Sequence, residues 1–113
     1  MRSEAAIQRA FIHWMRLQYP KVKIAASQNE NSRHAVGQGM DVGEPDLRLL
    51  WKCKDGVTHL HYLELKSKKG SLQPSQIKWN ADFDANYASA NCMRSVAYGF
   101  DEAKALFTAS YIA

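Results

Sequence analysis

A short turn at Lys54–Gly56 constrains the fold of this 113-residue chain more than any other stretch. Three residues that end in glycine suit a hairpin loop, because the last position of such a loop takes a positive φ angle. Pairing the flanking residues outward from the turn places Cys53 opposite Val57. Four further pairs follow in the same register, and the outermost places Asp46 opposite Glu64.

The outermost pair is electrostatically unfavourable. Directly opposed residues in a hairpin have Cβ atoms roughly 4.5 to 5.5 Å apart, and two like charges at that distance destabilise a sheet unless a positive charge lies between them. A divalent cation is the simplest such charge. Lys66 follows Glu64 by two residues and therefore lies on the same face of the sheet. Two carboxylates and a lysine on one face suggest metal-assisted hydrolysis.

The same register gives the hairpin an apolar second face, which we expect to pack against helices. Both faces of the sheet are therefore satisfied by one pairing. The side chains assigned to the apolar face are Leu47, Leu49, Trp51, Cys53, Leu63 and Leu65.

The remaining elements follow from periodicity and helix boundary signals. The pattern predicts a helix capped by Ser3 and ending near Gln18, a strand over 22–26, and a long polar loop over 28–44. After the hairpin it predicts a helix over 74–88, a strand over 93–98, and a last helix capped by Asp101. The predicted fold is an α/β chain with a mixed sheet, in the order αβββαβα.

Two groups of side chains allow a functional and a structural interpretation. The aromatic stripe Trp79, Phe83 and Tyr87 could stack on bases, but a stripe at helical spacing more commonly packs in a core, and we interpret it as packing. His59 and His61 share one strand face and could in principle bind a transition metal. Neither a cysteine nor a third histidine has a suitable spacing, so a polar or half-buried strand face is the favoured interpretation.

Composition is that of a single domain covering residues 1–113, with 46% hydrophobic and 23% charged residues. The net charge of +4 favours a polyanionic partner such as DNA. No apolar run approaches the roughly 20 residues needed to cross a bilayer, and the N-terminus lacks a signal-like core, so we expect a cytoplasmic protein without a membrane partner. The two isolated cysteines are expected to be free thiols, which fits a reducing compartment.

A wider pattern surrounds the opposed acids: Gly43-x-Pro45-Asp46, then Glu64-x-Lys66, then Gly70 and Gln76 at the start of a helix. This pattern resembles the VRR-NUC branch of the PD-(D/E)XK nuclease superfamily, in particular its small free-standing members from phages and bacteria. The resemblance covers nearly the whole chain. It implies a restriction-endonuclease-like αβββαβ core with a C-terminal helix. It also implies that the protein acts in a bacterial cell or a phage-infected host.

The resemblance also implies roles for individual residues. Asp46, Glu64 and the main-chain carbonyl of Leu65 would bind Mg²⁺ or Mn²⁺, and Glu4 would complete the metal shell directly or through water. Lys66 would orient the attacking water, and Gln76 would support Lys66. Four basic residues around the pocket are candidate DNA contacts, with solvated loop positions as the alternative; they are Arg33, His34, Lys68 and Lys69.

The activity implied is that of a metal-dependent, structure-selective DNA endonuclease without an organic cofactor. Free-standing relatives suggest branched DNA such as four-way (Holliday) junctions as the substrate, and two symmetric cuts across a junction would require a homodimer. Two alternatives remain open from the sequence. One is a non-catalytic nucleic-acid-binding module with a nuclease-like fold, and the other is a restriction-type nuclease that recognises a sequence.

Overall fold

A computed structural model describes residues 3–27 and 42–113. The elements are α1 (Glu4–Gln18), β1 (Lys23–Ala26), β2 (Leu47–Lys52), β3 (Thr58–Lys66), α2 (Pro74–Asn86), β4 (Cys92–Tyr98) and α3 (Phe100–Ser110). The order αβββαβα and the mixed α/β class are as predicted. No helix in these two ranges is long and apolar enough to cross a membrane.

The four strands form one sheet in the order β1-β2-β3-β4. The first three strands are antiparallel, and β4 runs parallel to β3, to which α2 connects it. The hairpin register is the predicted one, since Lys52 pairs with Thr58 and Arg48 with Tyr62. Gly56 has a φ angle of +84°, which is the conformation that the turn requires of its last residue.

The hydrophobic core lies on one face of the sheet, beneath α1 and α3. The predicted apolar residues of the hairpin are buried there, together with Phe11 and Met15 of α1 and Phe107 of α3. Ile7, Phe11 and Met15 of α1 are spaced four residues apart and are buried on one face, whereas Leu17 is exposed.

Two helix predictions also need correction. The last helix is not capped by Asp101, because its N-cap is Gly99, whose φ angle of +104° favours glycine. Asp101 lies in the first turn, where its negative charge interacts favourably with the helix dipole. The aromatic stripe of α2 packs only in part, since Phe83 is buried on the second face of the sheet whereas Tyr87 is 65% exposed.

The strand face with the two histidines is buried rather than polar or half-buried. His59 stacks on the indole of Trp51, and His61 is fully buried against the ring of Phe107. Both ring nitrogens of His61 are hydrogen-bonded to hydroxyl groups, Nδ1 to Ser110 at 2.9 Å and Nε2 to Ser95 at 2.8 Å. The two hydroxyls occupy the nitrogens through which a metal would bind.

Burial of His61 predicts a pH-dependent contribution to stability. Desolvation lowers the pKa of His61 from 6.5 to about 4, so the folded protein resists protonation that the unfolded chain accepts. The contribution of the neutral His61 to stability is therefore fully present above pH 6.5 and is lost as the pH falls toward 4. Between these limits we expect wild type to lose roughly 2 to 3 kcal/mol more than His61→Asn, measured by urea unfolding.

Other titrating groups are common to both proteins and cancel in this difference. His13→Asn, which alters an exposed histidine of α1, is the matched control and should follow wild type. An identical acid dependence of wild type and His61→Asn would contradict the assignment.

Candidate active site

The two opposed carboxylates meet at the end of the hairpin. Leu47 and Leu63 form its last strand pair, so Asp46 comes next to Glu64 in the register. Asp46 does not continue the strand. Its Oδ2 accepts a hydrogen bond from the main-chain N–H of Leu65 at 2.8 Å, which holds the carboxylate against β3.

The hydrogen bonds and positive charge around Glu64 do not offset the cost of burying its carboxyl group. Its side chain is 3% exposed, and Oε1 has no hydrogen-bond partner among the described residues. Burial raises the pKa of Glu64, the hydrogen-bonded and negatively charged Asp46 raises it further, and the total reaches about 9 although the Lys66 ammonium acts in the opposite direction. Glu64 is therefore not a solvated acid at the end of a strand.

Lys66 and the main chain of Leu65 complete the immediate surroundings. Lys66 is 5% exposed and lies on the same sheet face as Glu64, two residues further along β3. In a strand the N–H and C=O groups of one residue point to the same edge. Because the N–H of Leu65 points at Asp46, its carbonyl oxygen also faces the Asp46 side of β3.

The other two predicted residues lie near this cluster in different ways. Glu4 is exposed at the start of α1, with its carboxylate beside Gly70, and it slightly raises the pKa of Glu64. Gln76 lies in the first turn of α2, where its Oε1 accepts a hydrogen bond from the N–H of Gln73 at 2.8 Å. This contact caps the helix, and support of Lys66 by Gln76 stays a prediction.

Gly43 brings the first turn of α2 against the segment that carries Asp46. Its φ angle is +85°, and a Cβ atom at this position would lie 2.2 Å from the carbonyl oxygen of Ser75. Only glycine satisfies both conditions, since a side chain would strain the backbone and collide with α2. The glycine of the Gly-x-Pro-Asp pattern thus has a packing role close to the site.

Sequence reasoning missed the contribution of Ser27. Its N–H donates to the carbonyl of Asp46 at 2.8 Å, and its hydroxyl donates to the carbonyl of Pro45 at 2.9 Å. These two bonds anchor the backbone that presents the Asp46 carboxylate. The pairing of β1 with β2 brings Ser27 here, and no spacing within the sequence signals that pairing.

The four predicted DNA contacts divide into two groups. Lys68 and Lys69 are exposed in the turn that follows β3, where the N–H of Gly70 donates to the carbonyl of Ser67 at 2.9 Å. Both lysines are thus near the end of the strand that carries Glu64 and Lys66. Arg33 and His34 lie outside the described residues.

A solved structure described as a VRR_NUC domain protein has a similar fold. It matches with a TM-score of 0.73 at 16% sequence identity, over 97% of this chain and 88% of the other. The chain has a VRR-NUC fold. No protein-family model matches the sequence, and no curated protein is significantly similar to it. The expected VRR-NUC architecture is confirmed by this likeness, which at such low identity concerns the fold alone.

The donors at the site of this VRR-NUC fold suit a hard divalent cation. Within residues 3–27 and 42–113, no three His, Cys, Asp or Glu side chains are grouped closely enough to hold a metal ion. The close donors are instead the carboxyl groups of Asp46 and Glu64 and the main-chain carbonyl of Leu65, which faces the Asp46 side of β3. Mg²⁺ commonly binds through one or two carboxylates and keeps several waters, so this smaller set fits it. The specific observation in favour of a cation is Oε1 of Glu64, which has no hydrogen-bond partner in the part of the chain that the structure describes.

The unfavourable burial of Glu64 predicts a stability effect that can be measured without any substrate. In chelator, Glu64→Gln should raise the free energy of unfolding near neutral pH, because burial raises the pKa of Glu64 to about 9 and the folded protein must take up a proton there, which a neutral Gln does not require. We expect a gain on the order of 2 kcal/mol, since local relaxation reduces the full cost that this shift implies. Thermal unfolding with and without Mn²⁺ provides the measurement.

Mn²⁺ should raise the melting temperature of wild type and leave that of Glu64→Gln nearly unchanged. Asp55→Asn, which alters an exposed acid of the hairpin turn, is the control and should behave like wild type in both conditions. Destabilisation by Glu64→Gln in chelator would contradict the account of this site.

Proposed function

We propose that this protein is a metal-dependent DNA endonuclease. The observation that carries the proposal is the buried Glu64 carboxyl group beside Asp46, with Lys66 two residues further along the strand. One of the Glu64 oxygens has no hydrogen-bond partner within residues 3–27 and 42–113. A chain of this size gains nothing in stability from such an arrangement. The arrangement occurs on a fold shared with a VRR_NUC domain protein, which supports a nuclease-type activity.

Asp46, Glu64 and the carbonyl of Leu65 would hold Mg²⁺ or Mn²⁺, with Glu4 contributing through water from the start of α1. When bound, the cation would polarise a phosphoryl oxygen and lower the pKa of a coordinated water. The hydrogen bond from Leu65 to Asp46 fixes one carboxylate before the cation arrives. Preorganisation of this kind reduces the reorganisation needed during the reaction.

Lys66 has the electrostatic role in this proposal. Its ammonium group is buried beside Glu64 and would offset the negative charge that develops on the phosphate during hydrolysis. It would also orient the attacking water. Gln76, next to the site through the packing of Gly43 on α2, would support Lys66 with its side-chain amide.

DNA is the polyanion that the basic charge of +4 would attract. Lys68 and Lys69, exposed after β3, would contact phosphates beside the cleaved bond, and Arg33 and His34 would contribute from the segment before Gly43. Branched DNA, in particular four-way junctions, is the proposed substrate. A junction is resolved by two symmetric cuts, so the active form would be a homodimer.

Cleavage of a DNA panel tests the proposed activity. We expect wild type to cut junctions or flaps in Mg²⁺ or Mn²⁺, to leave single strands and intact duplex largely uncut, and to be inactive in chelator. Lys66→Met keeps the aliphatic stem and should reduce the rate at least about 100-fold, as expected for loss of transition-state charge stabilisation.

Lys54→Met is the matched control, because it removes an exposed lysine at the opposite end of the hairpin. Retention of the wild-type rate by folded Lys66→Met would contradict the mechanism. Discrete bands from a long linear duplex would favour a sequence-specific nuclease, and binding without cleavage in any metal would favour a non-catalytic module.

The homodimer is tested by the mass in solution. Sedimentation at micromolar concentration should give about twice the chain mass of 12.8 kDa. A monomeric mass under conditions in which junctions are still cut in pairs would contradict the dimer.

A further inference from the structure

The second face of the sheet carries an open groove of about 390 Å³ beside the candidate active site. It lies where α2 crosses β3 and the start of β4. Four of the side chains in its walls are aromatic and one is acidic; the full set is Leu60, Tyr62, Trp79, Asp82, Phe83, Tyr87 and Cys92. A cleft of this volume is large enough for a small planar ligand.

The aromatic rings in the groove form a continuous surface. Trp79 and Phe83 are stacked, with centroids 5.4 Å apart and an interplanar angle of 14°, and Tyr62 meets both rings edge-on. Tyr87 extends the series, 6.4 Å from Phe83, and is 65% exposed. Packing within this chain accounts for Phe83 but leaves most of the Tyr87 ring in solvent.

The groove is continuous with the candidate active site along β3. Tyr62 and Glu64 are two residues apart on the same strand face, which corresponds to roughly 7 Å. Arg48 pairs with Tyr62, so it lies on β2 directly beside the strand position that forms one wall of the groove. A nucleotide next to the cleaved phosphodiester could therefore reach the groove along this face.

Charged side chains beside the groove match the phosphate and the base of such a nucleotide. The Arg48 side chain is 43% exposed and forms an ion pair with Glu44, with 3.8 Å between its Nε and Oε1 of Glu44. Its guanidinium has the planar donor geometry that binds phosphate. Asp82 at the groove itself repels a phosphate and can accept a hydrogen bond from the N–H groups of a base.

Resting on the proposed nuclease function, we propose that this groove binds one unpaired nucleobase next to the cleaved phosphodiester. Arg48 contacts the adjoining phosphate, and the base stacks on the surface that ends at Tyr87. A base within a duplex is covered on both faces by its neighbours, so only an unpaired or extruded base can enter. The groove thus supplies a physical reason for selecting branched DNA.

Binding of a flap DNA in chelator tests this proposal without requiring cleavage. The unpaired nucleotides at the branch are made abasic one at a time, and affinity is measured by fluorescence anisotropy. For wild type, one abasic position should weaken binding about 10-fold, in line with the effect of losing one base–aromatic stack. Tyr87→Ala should bind the intact flap about 10-fold more weakly and be insensitive to that abasic position.

Two variants control for the fold of α2 and the chemistry of the ring. Tyr87→Phe keeps the stacking surface and should bind like wild type. Ile77→Ala removes an exposed apolar side chain of α2 that does not line the groove, and it should also bind like wild type. Alkylation of Cys92, a half-buried thiol in the groove wall, should be slowed by the intact flap and less by the abasic one.

Equal sensitivity of wild type and Tyr87→Ala to every abasic position would overturn the proposal. So would a change in the solution mass of Tyr87→Ala without a change in DNA affinity, because the groove would then be a protein contact. Failure of the nuclease function is distinguishable, since it would abolish cleavage in Mg²⁺ and Mn²⁺ while base-dependent binding in chelator persisted.

Discussion

The hydrogen bond from the N–H of Leu65 to the carboxylate of Asp46 determines the geometry of the site. It replaces the next main-chain bond of the hairpin with a side-chain bond, so the ladder ends and a carboxylate takes its place. Glu64 then lies beside the Asp46 carboxylate in a position that is almost closed to solvent, where burial disfavours its ionised form. The site depends on the fold tolerating this unfavourable burial.

The opposite face of the sheet provides the stability that this tolerance requires. Leu47, Leu49, Leu63 and Leu65 are all fully or nearly fully buried beneath α1 and α3. Side chains alternate along a strand, so the neighbours of Asp46 and Glu64 in the sequence point to the opposite face. Those neighbours anchor the two strands in the core. A shift of one residue would exchange the faces, so the register protects both the core and the site.

The sequence was sufficient to predict this hairpin because the evidence for it is local. A glycine-terminated turn and a period of two define the pairing, and the acids, the lysine and the apolar residues follow from it. Two kinds of prediction failed. The cap at Gly99 depends on a backbone angle that residue types alone did not indicate, and the burial of His59 and His61 depends on Trp51 and on residues of β4 and α3.

Other parts of the site could not be derived from spacing at all. Ser27 reaches Pro45 and Asp46 only through the β1–β2 pairing, and the exposure of Tyr87 depends on where α2 ends over the sheet. Glu4 and Gln76 were assigned by resemblance. Glu4 acts on the charge of Glu64 and the main chain of Gln76 packs against Gly43, and their contributions to metal binding and to Lys66 stay predictions.

The central claim is that the two opposed carboxylates are held together to bind a divalent cation. A crystal structure of the protein with Mn²⁺, with data collected to record the anomalous signal of manganese, tests it most directly. The account predicts an anomalous peak between the carboxylates of Asp46 and Glu64, within bonding distance of the Leu65 carbonyl oxygen. A fully occupied Mn²⁺ site elsewhere, with no peak between these two carboxylates, would contradict it.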